Sequence, residues 1–237
     1  MKGILAIGDC ITSGVEHCLG NSYPEQVGMA LNIPVKNIGQ AMFSTKEGLA
    51  VLRDYDSEEF DCIFIQFGLK DAYTTFKYSP NVLYYPDNFL RKQIRSIVKK
   101  YKKTCRKIGL NELLGEVNVV SEQEYQHNVS LMVERCRGKQ VVLPEIIPHQ
   151  ETVRNSAIQR YNKILEQIST THDNCLFIRL YDDFLEKMPE YYLDTGHPNE
   201  YGYRFISDKI LEQFSQVGGY EPTSNTVEDS DYYKSGI

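Results

Sequence analysis

Short apolar runs alternate with amphipathic stretches along this chain. Ile4 to Ile7, closing at Gly8, reads as a buried strand. Pro34 to Ile38, Cys62 to Phe67, Val141 to Ile147 and Cys175 to Leu180 read the same way. Runs of roughly 4–8 apolar, β-branched residues suit parallel strands covered on both faces. Between them the period changes to that of a helix. Ile94, Ile97, Val98, Tyr101, Cys105 and Ile108 share one helical face. Ile158, Tyr161, Ile164, Leu165 and Ile168 share another, and Phe205, Ile206, Ile210 and Phe214 a third near the C-terminus. Strands alternating with helices predict a doubly wound α/β fold. Right-handed crossovers then bring the loops that follow the strands to one edge of the sheet, where such folds bind ligands.

Two stretches depart from the minimal pattern. The chain from the third to the fourth strand is longer than a single crossover helix requires. An insertion is expected over about 73–138 within a single domain spanning 1–220. It would hold one long helix and a loop from Tyr73 to Val119, then a helix opened by the capping-box sequence Ser121-Glu122-Gln123-Glu124. Inside it, Arg91 to Lys107 carries nine basic residues and no acidic one. That stretch reads as a solvated helix face or as a surface for an anionic partner. The segment 221–237 is polar and is expected to be a weakly ordered tail.

Composition narrows the classes. With 237 residues and 41% hydrophobic content, the chain can bury a full core without a disulfide or metal staple. A net charge of −6 excludes a global basic footprint for nucleic acid. No apolar run reaches the roughly 18–20 residues of a membrane span, and the N-terminus lacks the long apolar core of a signal peptide. The chain therefore reads as cytoplasmic. The six cysteines form no C-x-x-C pair and no zinc spacing with histidine, so no metal is expected. Cys62, Cys105, Cys136 and Cys175 read as packing residues.

Two segments carry candidate chemistry. Gly8-Asp9-Cys10-Ile11-Thr12-Ser13-Gly14 follows the first strand directly. A tight turn there presents Cys10 at the sheet edge, near a helix N-terminus that favours a thiolate. Asp194-Thr195-Gly196-His197-Pro198-Asn199 follows the last strand. Its D-x-x-H spacing lets one turn aim a carboxylate at the histidine ring, fixing the tautomer and stabilising the imidazolium. Both segments belong at the same sheet edge. Thiol, base and orienting acid together point to acyl transfer.

At these residues the chain resembles the SGNH, or GDSL, hydrolase superfamily. Gly8-Asp9-Cys10-Ile11-Thr12 is similar to its first block and Asp194 to Pro198 to its last. Arg160-Tyr161-Asn162-Lys163 is similar to its helix before the last strand. The resemblance implies a flavodoxin-like three-layer α/β/α sandwich with about five parallel strands. It also implies esterase, thioesterase or acyltransferase activity on a small ester or acylated carbohydrate, with no cofactor. Cys10, His197 and Asp194 take the places of nucleophile, base and orienting acid.

Three signature positions differ. The family's nucleophile is serine, and Cys10 stands there. The oxyanion-hole glycine falls, counting from Asn37, at Met42, with Gly39 nearby. The Gly-x-Asn-Asp block reads Gly68-Leu69-Lys70-Asp71, so Lys70 replaces the asparagine. The expected oxyanion donors are thus the backbone of Cys10 and Met42 together with Lys70. The rival expectation is an inactive protein of this fold that binds a glycan, an acyl ligand or a protein partner.

Overall fold

A computed structural model of the chain describes residues 2–55 and 57–217. Its strands are β1 (Ile4–Gly8), β2 (Val35–Asn37), β3 (Cys62–Gln66), β4 (Thr74–Phe76), β5 (Glu116–Asn118), β6 (Gln140–Pro144) and β7 (Cys175–Ile178). Its α-helices are α1 (Cys10–Ser13), α2 (Tyr23–Leu31), α3 (Thr45–Asp54), α4 (Phe89–Lys107), α5 (Leu110–Leu114), α6 (Glu122–Arg135), α7 (Asn155–Thr171), α8 (Tyr181–Glu186), α9 (Met188–Tyr191) and α10 (Glu200–Val217). The tail expected over 221–237 lies outside the described residues.

Five strands form one parallel sheet in the order β2-β1-β3-β6-β7. Leaving out the small pair β4–β5, this is the flavodoxin-like doubly wound order. All five residues of β1 and of β3 are buried, as expected of central strands covered on both faces. Helices α2 and α10 pack together in one layer, and α3, α6 and α7 form the other. Tyr125 of α6 stacks on Tyr161 of α7 at 4.4 Å, and the Tyr161 hydroxyl donates to the Val120 carbonyl. This ties the helical layer to the chain that enters α6.

Strand ends differ from the sequence reading for identifiable reasons. The fifth strand stops at Ile178 instead of continuing to Leu180, because the N–H groups of Leu180 and Tyr181 donate to the Glu145 carboxylate at 2.7 Å. The fourth ends at Pro144, and Glu145 to Ile147 runs on as a buried loop.

Besides the short helix α5, the stretch between β3 and β6 holds two strands that the pattern of apolar residues does not announce. These are β4 and β5, paired antiparallel as a separate two-stranded sheet. Three-residue strands are too short to show a period. Ser121 caps α6 as its sequence predicts, accepting from the Glu124 N–H. Helix α4 is where expected, but its apolar face is not sunk into the core. Ile97 and Ile108 are 67% and 70% exposed. Arg95 and Cys105 are its buried residues, and Tyr101 leans edge-on against Phe76 of β4.

Candidate active site

The sheet fixes the position of Cys10. Gly8 pairs with Gln66 across β1 and β3, and the Asp9 N–H donates to the Gln66 carbonyl. The chain then turns at once into α1. A Cβ at Gly8 would overlap the Thr12 hydroxyl and the Gln66 carbonyl, so only glycine allows this turn. Asp9 caps α1 by accepting from the Ile11 N–H at 3.0 Å, which leaves Cys10 as the first residue of the helix. The loop after β2 braces the same turn. Asn37 donates to the Thr12 carbonyl at 2.7 Å, and Gly39 lies against Thr12 and Ser13.

Asp194 and His197 close one tight turn. Both Asp194 carboxylate oxygens lie within hydrogen-bond distance of His197 Nδ1, at 2.9 and 2.8 Å. The Gly196 and His197 N–H groups also donate to Asp194, at 2.8 and 2.9 Å. Burial alone would raise the Asp194 pKa. The Gly196 N–H, the His197 ring and the His197 N–H outweigh it and hold the carboxyl below its ordinary value. The Asp194 charge reaches the Cys10 thiol and adds to the rise of its pKa.

The thiol itself departs from expectation. Burial pushes the Cys10 pKa far up, and the neighbouring Asp9 charge pushes the same way. The N–H groups of Cys10 and Ile11 pull it down, as a helix start should, but α1 has just four residues and they lose. A thiolate is therefore not the resting form. Asp9 is fully buried, and burial raises its pKa to about 7, with Asp71 adding to the rise. Asp71 is likewise raised to about 6 by burial, against the Thr45 hydroxyl and N–H that donate to it.

Met42 takes a left-handed backbone, with φ of 72°. This is the conformation that glycine adopts without strain, and a non-glycine residue seldom does. The Met42 N–H has no hydrogen-bond partner among the described residues. Lys70 lies in the loop after β3 with its ammonium 4.7 Å from the centroid of the Tyr73 ring. Its pKa is lowered to about 8, first by burial and then by Lys102. Met42 and Lys70 both line a cleft of about 910 Å³ that runs to helix α4. The structure thus places Met42 and Lys70 together in the lining of that cleft.

Four further residues meet here that the sequence reading did not single out as functional. Tyr73 is close enough to Cys10 for their charges to interact, and it carries the Arg154 guanidinium 4.2 Å from its ring centroid. His149 is buried in the loop after β6. Its Nε2 lies 3.0 Å from Arg154, and its pKa is lowered by burial and by the Arg154 charge. Asn155 holds the His149 backbone at both ends, accepting from its N–H at 2.8 Å and donating to its carbonyl at 3.0 Å. The available signal was topological: this loop follows a central strand at the same sheet edge. Among the described residues, no group of three or more His, Cys, Asp or Glu is placed to hold a metal ion. Nor is any helix there long and apolar enough to cross a membrane.

Comparison with known proteins bears on the fold. The GDSL-like Lipase/Acylhydrolase family matches residues 6–205. No curated protein sequence matches. Among solved structures, the chain is similar to a lipolytic G-D-S-L family protein from Veillonella parvula. The TM-score is 0.63 at 17% identity, over 90% of this chain and 98% of that one. It is similar to a lipase/acylhydrolase from Enterococcus faecalis, with TM-score 0.61 at 18% identity, over 94% and 99%. A catalytic mutant of an acetylxylan esterase from Geobacillus stearothermophilus gives 0.60 at 19% identity, over 92% and 94%. At these identities the likeness is one of fold.

Proposed function

Since the chain belongs to the GDSL-like lipase/acylhydrolase family, we propose that it is an acyl-transfer enzyme, an esterase, thioesterase or acyltransferase, that works through the Cys10 thiol. The substrate is a small ester or an acylated carbohydrate. The acetylxylan esterase of similar fold supports the carbohydrate choice. The observation that carries the reading is the Asp194–His197 pair, with the Asp194 charge reaching the Cys10 thiol.

Asp194 keeps the proton on His197 Nδ1, which leaves Nε2 as the base. Because burial holds the thiol protonated, its proton passes to Nε2 as Sγ attacks the carbonyl carbon. The oxyanion is met by the N–H groups of Cys10 and Met42, with the Lys70 ammonium as a third donor. Collapse breaks the bond to the leaving alcohol or thiol, which takes the proton from His197. A thioester on Cys10 remains. Water or an acceptor hydroxyl attacks it and gives its proton to His197, and collapse returns that proton to Sγ. The scheme uses no metal or organic cofactor.

A second reading has one observation in its favour. Burial and the Asp9 charge both disfavour the reactive form of the thiol. An inactive SGNH-like protein that binds a glycan, an acyl ligand or a protein partner would tolerate this.

Steady-state hydrolysis of 4-nitrophenyl acetate and of acetylated xylooligosaccharides separates the two. Acyl transfer predicts turnover by the native protein that is lost in Cys10→Ala and in His197→Ala. Equal rates in all three proteins would support the binding reading.

A further inference from the structure

The cleft that opens from Met42 and Lys70 has a lopsided chemistry. Eight of its nineteen lining residues are lysine or arginine, and one, Glu151, is acidic. The protein as a whole carries a net charge of −6. The concentration of positive charge is therefore local to this cleft.

Helix α4 explains how the charge is collected. Arg95, Lys99, Lys102, Lys103 and Arg106 line the cleft at helical spacing, while Ile94, Ile97 and Ile108 remain at least 40% exposed. The helix thus gives its basic stripe to the cavity. Two of the cations are matched by carboxylates: Arg95 by Asp87 at 2.6 Å and Arg154 by Glu151 at 2.9 Å. Lys102, Lys103 and Arg106 have no carboxylate partner among the described residues. Burial and the neighbouring Arg106 charge lower the Lys102 pKa, and Lys102 in turn lowers that of Lys70. Lys102 is half-buried while Lys99, Lys103 and Arg106 are exposed along the rim, and like charges held together in such a concave site favour an anion that neutralises them.

The rest of the lining says what kind of anion fits. Thr74, Thr75 and Asn81 supply neutral polar groups, and Val82, Val98 and Val119 supply apolar surface. A volume of about 910 Å³ suits an organic molecule and exceeds what a bare inorganic ion fills. The end toward the nucleophile is marked by Tyr73, which lines the cleft and is within reach of the Cys10 charge.

We propose that this cleft binds the phosphate groups of the substrate. The acyl donor is then an ester or thioester whose alcohol or thiol portion carries phosphate or pyrophosphate. The acyl carbonyl lies at Cys10 and the phosphates lie among Lys99, Lys102, Lys103 and Arg106. The substrate role rests on the acyl-transfer reading above; the anion binding does not.

The test separates the two. Pyrophosphate is titrated calorimetrically into the Cys10→Ala protein and into Cys10→Ala carrying Lys102→Gln and Arg106→Gln. A Lys102→Arg, Arg106→Lys version of the same protein controls for folding. Saturable binding is expected in the first protein and in the charge-conserving one. It should weaken at least tenfold in the charge-removing one, and weaken with added salt. In the native enzyme, kcat/KM is compared within two matched pairs. One pair is acetyl-coenzyme A and S-acetyl-N-acetylcysteamine, and the other is an acetylated sugar phosphate and the same sugar without phosphate. At least a tenfold preference for the phosphorylated member is expected, and the preferred pair identifies the source of the phosphate. Absence of saturable pyrophosphate binding overturns the proposal. So does equal binding by the charge-removing protein, or binding only to phosphatidylserine vesicles. Turnover without preference in either pair overturns the substrate role. Pyrophosphate binding without turnover of any ester supports the anion site and removes the acyl-transfer reading.

Discussion

The Lys70 ammonium stands over the ring of Tyr73, 4.7 Å from its centroid, and both residues line the basic cleft. Where the family pattern has an asparagine amide, this protein has a mobile charge resting on an aromatic face. The proposed role as third oxyanion donor makes a specific demand. Lys70→Met, which keeps the length and loses the charge, should lower kcat on 4-nitrophenyl acetate by roughly 10–10². Lys70→Asn, which returns a fixed amide, should stay within about tenfold of the native rate. The Lys70 pKa is lowered to about 8, by burial and then Lys102, so the ammonium is present below that pH and lost above it. Activity owed to it should decline as pH rises through about 8, and that decline should be missing in Lys70→Met. A pH–rate profile of the two proteins checks this.

Asp194 accepts three contacts from a single turn: the His197 ring and the N–H groups of Gly196 and His197. Asp194→Asn should keep the turn, because the amide oxygen still accepts, but it no longer fixes the tautomer. We expect kcat to fall by roughly 10²–10⁴ with the melting temperature changed little. Kinetics and a thermal melt on the same sample decide the matter. A melting temperature that collapses along with kcat would make Asp194 a structural residue first.

Met42 holds a left-handed backbone at φ 72°. Met42→Gly should relieve strain about as much as it adds unfolded-state entropy, leaving stability within about 1 kcal/mol of native. Met42→Ile should lose about 1–2 kcal/mol or more, since a β-branched residue tolerates this conformation least. Urea unfolding of the three proteins measures the difference.

Asp9 is raised to about 7 by burial, with the Asp71 charge adding to it, from an ordinary value of 3.8. Between those pH values the folded protein binds the proton more tightly than the unfolded chain. The contribution of Asp9 to stability is therefore fullest at about pH 4 and is lost as pH rises toward about 7. The loss is a few kcal/mol at most, since each tenfold difference in proton affinity between the folded and unfolded chain is worth ~1.4 kcal/mol. Asp9→Asn keeps an acceptor for the Ile11 N–H and removes the titration. The native protein should thus lose stability relative to Asp9→Asn as pH rises from about 4 to 7, with the difference flat above that. Unfolding free energies across that range give the difference curve. A difference that grows in the opposite direction would contradict the buried, protonated Asp9.

Much of the architecture was written in the strand runs. Ile4 to Ile7 and Cys62 to Phe67 are unbroken apolar segments but for Gln66, because central parallel strands are covered on both faces, and both lie in the middle of the sheet. The D-x-x-H spacing foretold the Asp194–His197 contact because one turn is all the geometry it needs. What the sequence left hidden depends on contacts between distant segments. His149 and Arg154 meet Tyr73 and the last turn only once the sheet orders the loops. The fate of the Cys10 thiol was hidden for another reason. A helix N-terminus suggested a thiolate, but burial decides the ionisation, with the adjacent Asp9 charge pushing the same way, and burial is not visible in a motif. On α4 the helical period was legible. The partner of each face was not, because a stripe of isoleucines looks the same whether it meets a core or solvent.

The central claim is that Cys10 forms a covalent acyl intermediate with His197 as its base. The most direct measurement is intact-protein mass after brief exposure to 4-nitrophenyl acetate and to an acetyl thioester, with native, Cys10→Ala and His197→Ala proteins side by side. A single acetyl adduct on the native protein, absent from both variants, is the predicted result. No adduct on the native protein, together with ordinary alkylation of Cys10 by iodoacetamide, would show an accessible thiol without catalytic support and contradict the account.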